Sequence, residues 1–147
     1  MIQKGMNSAV KIIFICYGNA CRSPMAEMMC NSYGKGEVFA ESAGVHPALP
    51  HIEVDEPTIA AMREIGIDIS RHKPRHIRSV DLSSFDLLVN MSPLTIRDFL
   101  RDYQRFRGKI IEWNVVDPRG RSQRTYREAR DDLREKVLSL IKNLATT

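Results

Sequence analysis

The stretch from Lys11 to Pro24 reads KIIFICYGNACRSP, and its reading decides the fold. Lys11 to Ile15 (KIIFI) is a short apolar run rich in β-branched side chains. It does not alternate with polar residues, so it predicts a strand buried on both faces. Cys16 to Arg22 follows as a glycine-containing loop. Ser23 before Pro24 reads as an N-cap with proline at the first helical position. Met25, Met28 and Met29 then carry a helix to a stop near Gly34. A buried strand, a tight loop and a helix start together open a βαβ unit.

The alternation continues along the chain. Glu37 to Ser42 predicts a second strand, ended by Ala43-Gly44. His46 to Val54 contains Pro47 and Pro50 and reads as a loop. The next helix carries Ile59, Met62 and Ile65 on one face and stops at Gly66. Ser70 to Arg78 (SRHKPRHIR) is a basic loop, and Phe85 to Asn90 is a third buried strand. Ser92-Pro93 repeats the cap signal and predicts a helix to about Tyr103. Lys109 to Trp113 is a fourth strand, and Asp117 to Gly120 is a turn. Ser122 caps a last helix whose apolar face is Tyr126, Ala129, Leu133, Val137, Leu140 and Leu144. Strands alternating with helices predict an α/β fold: a parallel sheet between two helical layers. Ligands of such sheets bind at the carboxyl ends of the strands, where the loops after the first and fourth strands lie.

With 147 residues, the chain suits one domain, read as 10–147 after a flexible N-terminal tail at 1–9. The 22 Lys+Arg against 18 Asp+Glu give a net charge of +4. That excess favours anionic ligands and is too mild and dispersed to imply nucleic acid. Three cysteines, Cys16, Cys21 and Cys30, make a poor disulfide framework. No secretory signal or membrane-spanning run is visible, so a cytoplasmic location without membrane insertion is expected. The cysteines lack partnered pairs and the four histidines are scattered, so neither a zinc site nor another cofactor is expected.

The chemistry lies in the first loop. Successive backbone N–H groups between a strand end and a helix start form a nest for an anion, and the helix adds a positive dipole end. Gly18 allows close backbone approach, and Asn19 tolerates a left-handed conformation. Cys16 opens the loop and Arg22 closes it after five intervening residues. Tyr17, Gly18, Asn19, Ala20 and Cys21 would then ring a tetrahedral phosphate. Arg22 would grip two of its oxygens with a planar fork. A Cys16 thiolate on the floor of that ring would face phosphorus in line, with the Ser23 hydroxyl donating to it. A cysteine and an arginine at this spacing are by themselves commonplace. The strand before them, the Gly18-Asn19 pair and the Ser23-Pro24 helix start turn the reading toward a phosphate site.

This loop resembles that of the low-molecular-weight protein tyrosine phosphatases, whose signature Cys-x-Gly-Asn-x-Cys-Arg-Ser-Pro is met from Cys16 to Pro24. The resemblance continues through Met25-Ala26-Glu27, Ser42-Ala43-Gly44, the His72-Lys73 loop and Asp117-Pro118. It implies a four-stranded parallel sheet, Cys16 as nucleophile and a phosphocysteine intermediate. It also implies a network of Asn19, Ser23, Ser42 and His72 supporting the loop. Phenolate leaves poorly unless protonated, so a carboxylic acid must sit above the phosphate. Asp117, after the fourth strand, is the candidate. The implied substrates are phosphorylated proteins, phosphotyrosine first.

Many members of the family carry a tyrosine after Asp-Pro that walls an aromatic cleft. Here Arg119-Gly120 follows, and Tyr17 is the alternative wall. Cys21 reads equally as a trap for oxidised Cys16 or as packing under the loop. Cys30 reads as core. Two rivals share the fold. Arsenate reductases of the thioredoxin-linked kind relay a disulfide to cysteines that Leu82 to Leu100 lacks, although variants using small thiols need fewer cysteines, and Asn19, Glu27, Ser42 and Asp68 resemble the cation site of that branch. Protein arginine phosphatases also keep Asp-Pro before a glycine turn and a long helix, with a threonine where Ala20 stands here. A module that binds phosphorylated partners without turnover is the reading from another class; Cys16, Arg22 and Asp117 together speak against it.

Overall fold

The computed structural model describes residues 8–95, 97–98 and 106–145. Its centre is a four-stranded, all-parallel sheet of β1 (Val10–Cys16), β2 (Val38–Gly44), β3 (Leu87–Asn90) and β4 (Lys109–Glu112), in the order β2-β1-β3-β4. Among the described residues, three named helices pack around it: α1 (Arg22–Tyr33), α2 (Glu56–Arg63) and α3 (Gln123–Ala145). The α/β architecture expected from the alternating pattern is the one observed.

β1 is buried on both faces, as its unbroken apolar run requires. Ile12, Phe14 and Cys16 face a core shared with Met25 and Met29 of α1, Met62 of α2 and Leu133 and Val137 of α3. Ile13 and Ile15 point the other way, toward Ile77, Val80, Leu82, Phe85 and Phe106. The period of two thus divides one strand between two cores. Phe14 is fully buried, with its ring centroid 5.6 Å from that of Trp113. Burying a side chain of this kind stabilises the fold by about 1.5–3 kcal/mol. The apolar face expected of the last helix is also present, with Tyr126, Ala129, Leu133, Val137 and Leu140 buried.

Some boundaries differ from the expectation. α1 starts at Arg22, with Cys21 at the N-cap position and no side-chain cap. Ser23 does not cap because its hydroxyl is engaged with Cys16 and Asn19. Pro24 becomes the third helical residue, where a missing N–H still costs no intrahelical bond. The basic loop closes in a 3₁₀ turn at Ile77–Ser79, and a second at Leu82–Ser84 leads into β3. Both pack under the sheet face opposite α1. The helix expected from Ser92 does not start there: residues 92–94 form bends, with the Ser92 hydroxyl donating to Asn90 Oδ1, and helical backbone is present at 97–98. Position 96 and the expected continuation from 99 to 103 lie outside the described residues, as do positions 1–7 of the expected tail.

This topology places the site. The chain leaves β1 toward β2 on one side and later adds β3 on the other, so the strand order reverses beside β1. Cys16 pairs in register with Gly44, Ile15 with Asn90, and Asn90 with Glu112. The loops after all four strands therefore gather at one edge. Gly44 has a steric duty there. A Cβ on it would lie 2.7 Å from Tyr17 O and 2.9 Å from Asn19 N, so only glycine lets the loop backbone rest on β2.

Candidate active site

Cys16, at the end of β1, is 2% exposed and sits on the floor of a small cavity. The cavity is lined by Cys16, Tyr17, Gly18, Ala20, Cys21, Arg22, Asp117 and Arg119. Five of the six residues expected to ring a phosphate therefore line it. Asn19 is the sixth. Its backbone is left-handed, with φ of 50°, and its side chain turns away from the cavity and is wholly buried. Tyr17 stands at the mouth, 40% exposed, edge-on to His46 at 4.7 Å between centroids.

Behind the loop, Asn19 uses every polar valence of its amide. Nδ2 donates to Ser23 Oγ at 2.8 Å and to Ser42 Oγ at 2.9 Å. Oδ1 accepts from Arg75 N at 3.0 Å and from His72 Nε2 at 3.1 Å. Those bonds fix the protons further along. Ser23 Oγ accepts from Asn19, so its own proton is left for Cys16 Sγ, 2.9 Å away. Ser42 Oγ donates to Glu27 Oε1 at 2.6 Å. Burial raises the Glu27 carboxyl above the usual range, against the opposing pull of Ser42 and Arg75. All four residues expected to support the loop are thus joined in one network.

His72 donates to an amide oxygen, so Nε2 carries a proton. Burial lowers the imidazole to about 4, against a hydrogen bond to Asn19 that raises it and with Arg75 adding to the fall. The unfolded ring titrates near 6.5. Above that pH both states are neutral and the shift contributes nothing. Below it, the unfolded chain takes up a proton that the folded ring refuses, so stability falls between about 6.5 and 4. Urea unfolding at pH 7 and pH 5 should show wild type losing about 2 kcal/mol more than His72→Gln, whose amide can still donate to Asn19. Equal losses would mean that the ring is freely protonated in the folded state.

Arg22 is 8% exposed and held from behind. Its Nη1 donates to Met91 O at 3.1 Å and Val115 O at 3.2 Å, backbone carbonyls beyond β3 and β4. That anchoring leaves Nη2 and Nε as a fork for an anion. Nη2 lies 3.6 Å from Asp117 Oδ2. Asp117 is half-exposed at the mouth, and its Oδ1 accepts from Arg119 N at 3.1 Å, closing the turn after β4. A buried thiol and an anchored guanidinium from one loop, and a carboxylate from the turn after β4, thus meet at one cavity.

The family model described as low molecular weight phosphotyrosine protein phosphatase matches residues 11–147. The chain belongs to this family. Three similar proteins carry three different names. A glutaredoxin arsenate reductase from Synechocystis sp. is 29% identical over 136 residues, covering 92% of this chain and 98% of that protein. A protein-arginine-phosphatase from Bacillus subtilis is 32% identical over 145 residues, covering 90% and 95%. The crystal structure of a low molecular weight protein tyrosine phosphatase from T. tengcongensis superposes with a TM-score of 0.81 at 31% identity, covering 92% of this chain and 99% of that one.

Within the phosphatase fold, the other cysteines separate clearly. Cys21 is 5% exposed; burial pushes its thiol well up, against the pull of the Thr58 hydroxyl. Cys30 is wholly enclosed in the core, its thiol pushed up to about 12 by burial. Of the four residues likened to a cation site, Asn19, Ser42 and Glu27 are linked. Asp68 instead caps its own turn by accepting from Ser70 N at 2.9 Å, and no contact joins it to the others among the described residues. Sequence reasoning missed the carbonyls that anchor Arg22, which carry no residue signal. It also missed Asp55, 11% exposed, which accepts from Tyr126 OH at 3.0 Å and faces Arg119. Its place just before the α2 helix was the available hint.

Proposed function

We propose that this enzyme is a cysteine-dependent phosphomonoesterase acting on phosphotyrosine in proteins of a reducing cytoplasm. The convergence of Cys16, Arg22 and Asp117 on one cavity carries the reading. The Cys16 thiolate attacks phosphorus while the loop N–H groups and Arg22 hold the equatorial oxygens. The P–O bond to the substrate breaks, and the Asp117 carboxyl protonates the departing phenolate. Water then attacks the phosphocysteine and gives its proton to the Asp117 carboxylate. The S–P bond breaks, inorganic phosphate leaves and the thiolate returns. Asn19, Ser23, Ser42 and His72 serve this cycle by fixing the loop and supplying the Ser23 proton to sulfur. The exposed ring of Tyr17 supports an aromatic substrate.

Arsenate reduction is the second reading, favoured by the Asn19–Ser42–Glu27 chain and the name of the Synechocystis relative. It requires a second thiol to relieve Cys16; the two others in the sequence are buried in this fold, so an external small thiol would have to supply it. A panel of phosphotyrosine, phosphoarginine, phosphoserine and arsenate, the last with a thiol donor, tests both readings under reducing conditions. Phosphotyrosine should exceed the others by at least about tenfold in kcat/KM, a difference of about 1.4 kcal/mol. Faster consumption of arsenate or phosphoarginine would overturn the assignment.

A further inference from the structure

Arg119 stands at the mouth of the cavity with most of its donors unspent. A Cβ built on Gly18 would lie 3.3 Å from Arg119 Nη1, so the guanidinium rests against the rim of the loop. Its backbone N–H is tied to Asp117, so the rim cation and the proposed acid share one turn. Its ion-pair partner is Asp55, whose Oδ1 lies 3.7 Å from Nε, longer than a hydrogen bond. No hydrogen bond ties the guanidinium to another described residue, and the side chain is 51% exposed. Three other arginines differ. Arg22 is anchored to two carbonyls, and Arg127 and Arg130 are spent on Glu64.

Asp55 directs this cation without consuming it. Its carboxylate is held by Tyr126 OH, and its backbone N–H donates to Ala20 O at 3.2 Å, which fixes it to the loop. We propose that Arg119 is a specificity-determining residue that binds a carboxylate flanking the phosphorylated side chain, so that preferred substrates are acidic phosphopeptides. This rests on the phosphotyrosine reading above. The phosphate occupies Arg22, and Asp117 is protonated in the productive complex, so Arg119 is the cation left to meet a second anion at the mouth. The same charge repels a substrate whose phosphate sits on a guanidinium.

Two phosphotyrosine peptides of equal length, one flanked by Glu and the other by Gln, test the assignment with wild type, Arg119→Gln and Arg119→Glu. Wild type should favour the acidic peptide by about three- to tenfold in kcat/KM, as a half-exposed charged pair allows. The ratio should shrink in high salt. It should fall to about one in Arg119→Gln and invert in Arg119→Glu. A wild type that does not discriminate, or a preference that survives both substitutions, overturns the role of Arg119 and leaves the phosphotyrosine reading standing. Failure of wild type to hydrolyse either peptide overturns that reading, and this inference falls with it.

Discussion

Cys16→Ser will fold as wild type does and turn over phosphotyrosine slower by a factor on the order of 10³ or more. The site explains both halves of that result. Sγ has one side-chain hydrogen-bond partner among the described residues, the Ser23 hydroxyl at 2.9 Å, and a serine oxygen in its place can keep a hydrogen bond there. Asn19, Ser42 and His72 do not touch the substituted atom, so the buttress survives. What is lost is the thiolate. A serine hydroxyl is not ionised at neutral pH, and the cavity brings no general base to activate it. Asp117 is needed in its protonated form for the leaving group. Thermal unfolding and circular dichroism should match wild type, while steady-state turnover disappears. A variant that kept a tenth of the wild-type rate would show that Cys16 is not the nucleophile.

The fold was legible because its central strand is unambiguous. KIIFI cannot face water on either side, and buried parallel strands require helical crossovers. Boundaries were less legible where side chains serve the site rather than the local element. Ser23 has the sequence look of a cap, yet tertiary contacts claim its hydroxyl and the helix begins at Arg22. The motif also placed Cys16 and Arg22 correctly in one loop, since seven consecutive residues cannot stray far. What holds Arg22 could not be read, because Met91 and Val115 contribute only carbonyls. The departure at Arg119 was visible as a missing aromatic wall. Its geometry against Gly18 and Asp55 gives that departure a positive meaning only once three distant segments are brought together.

Asp117→Asn should hurt most where the leaving group is poorest. Phosphotyrosine releases a phenolate that needs a proton, so the loss there should be about 10²- to 10⁴-fold in kcat. An aryl phosphate with an electron-withdrawn ring releases a stable phenolate unaided and should lose at least about tenfold less. Asparagine retains an oxygen for the Arg119 N–H at the Oδ1 position, so the turn should persist. It also removes a carboxylate from 3.6 Å of Arg22 Nη2. Without that competitor, inorganic phosphate should inhibit the variant more tightly than wild type. The pair of results separates chemistry from positioning: tighter phosphate with a leaving-group-dependent loss is the signature of a missing acid above an intact anion site. Equal losses on both substrates with weaker phosphate binding would mean that Asp117 merely organises the turn. The proton would then have to come from elsewhere at the mouth, and Asp55, set against Arg119 and Tyr126, would be the carboxylate to test next.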